Sequence, residues 1–331
     1  MSRSLTILKP GLATSIQDQG RQGYYHLGIP PSGAMDQYSF RAANLLVGND
    51  ETAAVLECTL MGPVLRFDSD AVIAVTGAEM VPIIDGEKQA THTALKVAAG
   101  STVSFGVMTL GARAYIAING GIDVPEVLGS RSFYSLGAIG GLNGKKLDAG
   151  DVLPLGAPGE RPHATAALPP ALRQAIAKHT DIRVMPGLYD HRLSDEGRTG
   201  FYADSWKVAS EADRIGYRYK GGRPLTFQPR TPPFGAGSDP SNIVDAPYPI
   251  GSIQVPSGVE PIILHRDAVS CGGYAMIATV ISADMDLIGQ MQPNYSARFV
   301  AVDMDTALSA RRAQKQRLAD LRTHFGRTPQ P

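Results

Sequence analysis

Cysteine is almost absent: the 331 residues contain two, Cys58 and Cys271, far apart and both in apolar surroundings. A disulfide scaffold is excluded as the basis of a fold this size, and a reducing compartment is the simpler reading. Long apolar runs are missing too. No stretch approaches the roughly 18 uninterrupted apolar residues of a membrane span, and residues 1–25 carry Arg3 and Lys9 but no apolar core of a signal peptide. A cytoplasmic location without a membrane partner is expected. Charge of one sign is not in excess, with 31 Lys+Arg against 31 Asp+Glu and a formal net charge of zero. Nucleic acids and anionic membranes call for a basic excess, so no nucleic-acid partner is expected. There is no G-x-x-x-x-G-K-[ST] phosphate loop, no G-x-S-x-G elbow, and no H-x-x-x-H or C-x-x-C spacing. The seven histidines are scattered, so no metal site is expected, and nothing in this chain alone builds an ATP site.

Glycine and proline, 36 and 24 residues, are what the chain has in quantity, and they imply many turns. Between them lie short β-rich segments: AVIAVTGA at 71–78, TVSFGVM at 102–108 and ARAYIAING at 112–120. The clearest early helix is MDQYSFRAANLLVG at 35–48, where Tyr38, Ala42, Leu45 and Leu46 recur at helical spacing and Gly48 suits the C-terminal cap. A mainly β protein with a few helices follows. At this length two domains are expected: a β-rich domain over 1–157, an Ala/Pro-rich linker over 158–180 with a short helix after Pro169 and Pro170, a second β-rich domain over 181–303, and a basic helix and tail over 304–331. In that helix Leu308, Leu318, Leu321 and Phe325 fall loosely on one side, while Arg311, Arg312, Lys315, Arg317 and Arg322 read as a solvated face or as a docking face for an acidic partner. The halves echo each other. Asp18 and Arg21 lead into Gly23-Tyr24 as Asp213-Arg214 leads into Gly216-Tyr217, and Pro31-Ser32-Gly33 recurs as Pro256-Ser257-Gly258. An internal duplication would give two related barrels.

Three places carry candidate chemistry. In the first, Asp18, Arg21, Ser32, Asp36 and Arg41 alternate acids and bases in a Gly/Pro loop that runs into a helix. Free N–H groups at the helix start and two arginines would clamp an anion; alternatively Asp36 caps a helix beginning at 37, and Asp18 and Arg21 pair within a turn. The second is SEADRIGYRY at 210–219, with Arg214, together with GSIQVPSG at 251–258, where Gln254 alternates in a strand and is either a core hydrogen-bonding group or a substrate contact. The third is HRDAVSCGGYAMIATVISADMDLIGQ at 265–290. There Gly272 and Gly273 before Tyr274 would let a backbone approach a ligand and offer an N–H pair, or simply make a tight turn. Cys271 with His265 invites a nucleophile pair, but an inert buried thiol is the plainer reading.

PGLATSIQDQGRQGYYHLGIPPSGAMDQYSFRAANLLVGNDETAAVLECTLMGPVLRF at 10–67 resembles the opening of the KipA family, whose members are also called allophanate hydrolase subunit 2 or the 5-oxoprolinase C-type subunit, or form the second half of the biotin-dependent urea carboxyltransferase domain. Further matching segments are LGSRSFYSLGAIGGLNGKKLDAGDVLPL at 128–155, EADRIGYRYKG at 211–221, GSIQVPSGVEPIIL at 251–264 and GGYAMIATVISADMDLIGQMQP at 272–293. The resemblance implies two cyclophilin-like β-barrel domains. It also implies a KipI-type partner and ATP-coupled work at a C–N bond, either carboxyl transfer to a urea-like nitrogen or opening of 5-oxoproline. Biotin would arrive on a separate carrier chain, with a biotin carboxylase or the 5-oxoprolinase A-type subunit as further partners, and ATP would be used by the complex. A KipA-like regulator that binds a KipI-type kinase inhibitor is the non-enzyme alternative. On this reading Asp18, Arg21, Asp36, Arg214 and Gln254 are the catalytic candidates. Ser32, Arg41, Gly272, Gly273 and Tyr274 are the substrate-binding ones. The chain departs from many 5-oxoprolinase-type members, which have a Thr-Thr-Gly-Gly-Tyr-Pro-Lys segment where this one has Ser270-Cys271-Gly272-Gly273-Tyr274-Ala275-Met276. That removes a cation and a rigid proline and argues against 5-oxoproline in particular.

Overall fold

The computed structural model describes residues 3–159 and 166–327. The chain divides into two units, the first comprising Met1–Gln22, Ser32–Ile176 and Lys315–Pro331, the second Gly23–Pro31 and Ala177–Gln314. Among the described residues, no helix is long and apolar enough to cross a membrane.

In the first unit a six-stranded sheet runs in the order Val152–Pro154, Ser4–Lys9, Val64–Phe67, Thr102–Phe105, Pro82–Ile84, Glu87–Lys88. A five-stranded sheet has the order Ala13–Gln17, Val55–Thr59, Arg113–Ile118, Ala71–Gly77, Ala94–Val97. Both contribute to one core: Leu5, Ile7, Leu65 and Phe67 from the first sheet meet Leu56, Ile73, Val75, Ile116 and Ile118 from the second. The strand Arg113–Ile118 is buried at all six positions, as expected where both faces of a strand are covered. Ala114, Ile116 and Ile118 enter the shared core, while Tyr115 and Ala117 face a second cluster with Phe40, Ala43 and Leu46 of helix α1 (Gln37–Leu46). Alternate side chains leave a strand on opposite faces, so one segment serves two cores. Helix α1 starts where the alternative reading placed it, with Asp36 as its cap and Gly48, at φ +76°, just past its end.

In the second unit seven strands close a barrel in the order His179–Pro186, Met276–Val280, Ser252–Gln254, Ile262–Leu264, Gly216–Lys220, Trp206–Val208, Ser296–Ala301. The ring closes through parallel pairing of the first and last of these. Trp206, Tyr217, Tyr219, Ile253, Ile263 and Phe299 are buried, and Phe299 stacks on Phe201 of helix α2 (Asp195–Ala203) at 4.7 Å between ring centres. Beside the barrel, Asn242–Pro247 and Cys271–Tyr274 form a two-stranded ribbon. The short helix α3 (Met285–Gly289) follows, and then the long helix α4 (Met304–His324). The expectation of a mainly β protein holds.

The unit boundaries fall elsewhere than the sequence suggests. Residues 166–172 of the expected linker belong to the first unit, because Leu168 enters the α1 cluster and donates its N–H to the His92 carbonyl; residues 160–165 lie outside the described residues. Residues 23–31 belong to the second unit, where the Tyr25 hydroxyl donates to the carbonyls of Tyr248, at 2.9 Å, and Val269. The end of α4 belongs to the first, since Leu321 and Phe325 pack with α1. Its basic cluster is not one solvated face. Arg311, Arg312 and Lys315 are exposed, but Arg317 lies 3.8 Å over the Tyr38 ring, and Arg322 makes two bonds, at 2.8 and 2.7 Å, to Glu51, which also accepts from Arg41. One carboxylate thus bridges two guanidiniums.

Two outcomes follow from this packing. Glu51→Gln leaves Arg41 and Arg322 facing each other and should destabilise the protein by about 3 kcal/mol, read as a lowered denaturant midpoint with unchanged slope. His92 is 8% exposed, and burial, reinforced by Arg173, lowers its pKa to about 4. The unfolded chain takes up this proton near pH 6.5, so between 6.5 and 4 protons favour the unfolded state and stability falls as pH falls. By pH 5 the loss from this group should be roughly 2 kcal/mol, and a His92→Gln variant should lack that part of the pH dependence.

Candidate functional site

Residues 30–36, the proline- and glycine-rich loop, are buried throughout. A buried loop outside any sheet must find an acceptor for each backbone donor. Pro30 and Pro31 bring none. Gly33 donates to Gln17 Oε1 at 3.1 Å, Ala34 to the Asp18 carbonyl at 2.9 Å, Met35 to Glu57 Oε2 at 2.7 Å, and Asp36 to the Tyr115 hydroxyl at 2.7 Å. Tyr115 in turn donates to Glu57 at 2.9 Å, with Arg113 3.8 Å from the other Glu57 oxygen. Burial, then the charges of Glu57 and Asp36, hold the Tyr115 phenol well above its ordinary pKa. Gly33 sits at φ +84°, and a Cβ there would lie 2.7 Å from the Gly20 nitrogen, so only glycine fits. Gln17, Glu57, Arg113 and Tyr115 were not singled out from the sequence; the one signal is that Glu57, Arg113 and Tyr115 are polar groups within largely apolar strands.

Asp18 and Arg21 both hold the turn at 130–132. Asp18 Oδ1 accepts from Gly20 N–H at 2.8 Å and from the Ser130 and Ser132 hydroxyls at 2.6 Å each, and its Oδ2 accepts from Arg131 N–H at 2.6 Å. Arg21, 1% exposed, donates to the Ser132 carbonyl. Asp36 caps α1, accepting from the Ser39 N–H at 2.8 Å and the Ser39 hydroxyl at 2.7 Å. Arg41 faces Glu51. Ser32 differs from these: it is fully buried, holds φ +52°, and its hydroxyl has no hydrogen-bond partner among the described residues. Ser257 repeats this backbone at φ +52° with Gly258 at +74°, against +84° for Gly33. The echoed Pro-Ser-Gly therefore shares a conformation as well as letters.

In the second unit Arg214 forms a two-pronged pair with Asp267, at 2.8 and 3.1 Å. Gln254 ends a barrel strand, is 7% exposed, and has no side-chain hydrogen bond among the described residues. Its amide nitrogen lies 3.8 Å from where a Cβ on Gly272 would stand. Gly272, Gly273 and Tyr274 are in the extended ribbon, so the tight-turn reading does not hold. Glycine is required at 272 because a Cβ would come 2.9 Å from the Tyr248 ring. The Tyr248 hydroxyl receives the Tyr274 N–H at 3.0 Å and donates to the Gly272 carbonyl at 2.6 Å, and burial raises its pKa to about 12. Met276 lies in an apolar cluster with Ile243, Ala246, Tyr248 and Leu264.

The thiol readings separate. Cys58 is fully buried, and burial raises its pKa to about 12. Cys271, expected to be buried and inert, is exposed on the ribbon. It is not paired with His265, whose Nδ1 accepts the Arg266 N–H at 2.9 Å and whose Nε2 lies 3.2 Å from the Met285 carbonyl. What the arrangement offers chemically is narrow: a buried amide beside an open glycine backbone in the second unit, and a lone buried hydroxyl in the first.

Residues 27–301 match the carboxyltransferase domain, subdomain A and B. The chain is 38% identical over 319 residues to urea amidolyase of Saccharomyces cerevisiae, covering 94% of this chain and 17% of that protein. It is 35% identical over 312 residues to the 5-oxoprolinase C-type subunit of Escherichia coli, covering 94% of this chain and 96% of that one. The crystal structure of the Kluyveromyces lactis urea carboxylase matches with a TM-score of 0.90 at 36% identity, over 97% of this chain and 29% of that chain. The chain therefore spans less than a fifth of the urea amidolyase it resembles. With the match running through both units, the chain belongs to the carboxyltransferase-domain family, subdomains A and B.

Proposed function

We propose that the chain is the carboxyltransferase-type subunit of an ATP-coupled, biotin-dependent enzyme acting at the C–N bond of a urea-like or amide substrate, together with a KipI-type partner. The observation that carries this reading is the Gln254 amide, nine-tenths buried and without a hydrogen-bond partner among the described residues, beside a glycine ribbon. An amide has two donors and an acceptor, the complement of a ureido or amide group. No Gln254 side-chain atom is among the buried unpartnered ones, so the amide tip is open to a ligand, whose hydrogen bonds would replace those it makes to water.

A carboxylated biotin, carried on another chain, would supply an activated carboxyl group, and its ureido ring suits the same amide and backbone groups. Gln254 would orient the ligand. Gly272 and Gly273 would let it reach the backbone, and Tyr274, 40% exposed, would flank it. In the first unit the Ser32 hydroxyl is a separate candidate contact. Asp18, Arg21, Asp36, Arg41 and Arg214, whose bonds go to neighbouring protein groups, would hold the loops of their own units in place. The near-complete coverage of the 5-oxoprolinase C-type subunit favours a second reading, ATP-dependent opening of 5-oxoproline by the same chain.

The test is turnover. Purified chain with ATP and 5-oxoproline, or with carboxybiotin and urea-like acceptors, should be inactive alone and active once the KipI-type partner is added; full activity alone defeats the proposal, and binding of the partner without any turnover supports a regulator. In the active complex Gln254→Leu should lower kcat/KM roughly tenfold or more while leaving stability nearly unchanged, because the amide makes no hydrogen bond within the described protein. Met276→Lys should cost several kcal/mol, since it places an ammonium in an apolar cluster. A fully stable lysine variant with improved 5-oxoproline cleavage would favour the second reading instead.

A further inference from the structure

Most arginines of the second unit have an acid to face: Arg183 pairs with Asp284, Arg214 with Asp267, Arg223 with Asp204 and Arg298 with Asp181. Arg192 and Arg230 do not. Arg192, at the end of the short turn Asp190–Arg192, donates to the Asn242 carbonyl at 3.1 Å and to the Pro240 carbonyl. Arg230 donates to the same Asn242 carbonyl. One carbonyl thus draws two guanidiniums together, and neither has a carboxylate in ion-pair range among the described residues. The Arg230 Nε–H is buried without an acceptor among them. Asp239, the acid nearest in sequence to this carbonyl pair, is taken up by the Ser241 N–H and hydroxyl and by the Ser257 hydroxyl. Burial, and then the charge of Arg230, lower the Arg192 pKa.

Two like charges brought together without a counter-charge are unfavourable, and a spare buried N–H adds to the cost. Both side chains remain partly exposed, so a solute can reach them. A guanidinium pair presents planar forks that match the oxygens of a carboxylate or phosphate. We infer that Arg192 and Arg230 form a binding site for a small oxyanion, the carboxylate or phosphate group of a ligand. The site adjoins the ribbon, because Asn242 is the strand partner of Tyr274. It stands independently of the proposed reaction; if that reaction holds, an acidic group on a substrate or carrier would be read here.

The experiment is a thermal-shift and calorimetric titration of the purified chain with inorganic phosphate and, separately, with acetate and bicarbonate, chloride being exchanged to keep ionic strength constant. Saturable stabilisation is expected, and the arm that saturates at the lower concentration distinguishes phosphate from carboxylate. Arg192→Gln and Arg230→Gln keep a donor for the Asn242 carbonyl but remove the charge, and should abolish the saturable shift. Gln254→Leu leaves both arginines in place and should retain it, so failure of the amide site and failure of this one are distinguishable. Should a glutamine variant not fold, Arg230→Lys keeps charge but loses the fork and should weaken binding about tenfold. Absence of saturable binding by any of these anions, or equal shifts in wild type and the arginine variants, overturns the inference.

Discussion

Burial of the loop at residues 30–36 is the constraint on which much of the first unit depends. Taking an irregular backbone out of water obliges the surrounding strands to supply an acceptor for each N–H. Gln17, Glu57 and Tyr115 do so from three adjacent strands of one sheet. The polar side chains are therefore committed to backbone, and the loop's two prolines lower the number of donors to be met. The same requirement explains why the loop runs straight into α1: Asp36 ends the loop by donating to Tyr115 and begins the helix by accepting from Ser39.

Charge is handled by the same logic with different results. Glu51 serves two arginines, Asp267 serves one through both of its oxygens, and Asp18 accepts four bonds from the 18–20 and 130–132 segments. These groups are satisfied within the protein and have little left to give a substrate. Groups left unmatched among the described residues, such as the Ser32 hydroxyl, the Gln254 amide and the Arg192–Arg230 pair, are where a ligand would restore balance. The Ser32 hydroxyl and the Arg230 Nε–H are buried without a partner among the described residues, and such polarity is costly enough to call for an explanation; the Gln254 amide and the arginine pair lie beside the same ribbon.

That ribbon is an unusual element to place beside a barrel. A strand containing two glycines has little packing of its own and weak intrinsic preference for extension. It is held by Tyr248, whose hydroxyl bonds its backbone at Gly272 and Tyr274, and whose ring excludes any side chain at 272. Ile243 and Ala246 of the ribbon pack into the cluster with Tyr248 and Met276, whereas the Cys271 thiol is exposed.

The sequence by itself determined the mainly β character, a helix within residues 35–48 with Asp36 as one candidate cap, and the family. Each rests on local information: β-branched runs between turn residues, a capping acid three residues before Ser39, and long ordered motifs. Tertiary structure alone decided which polar residues are committed. Nothing local distinguishes Arg214, matched to an aspartate 53 residues away, from Arg192, which shares the Asn242 carbonyl with another arginine. Nor could composition show that Leu168 leaves an apparent linker for the core, that residues 23–31 pack with the second unit, or that Cys271 is exposed. Partners across a fold are set by strand order and register, which arise from the whole chain, so the sequence could name the groups able to do chemistry while the packing chose those left unpaired.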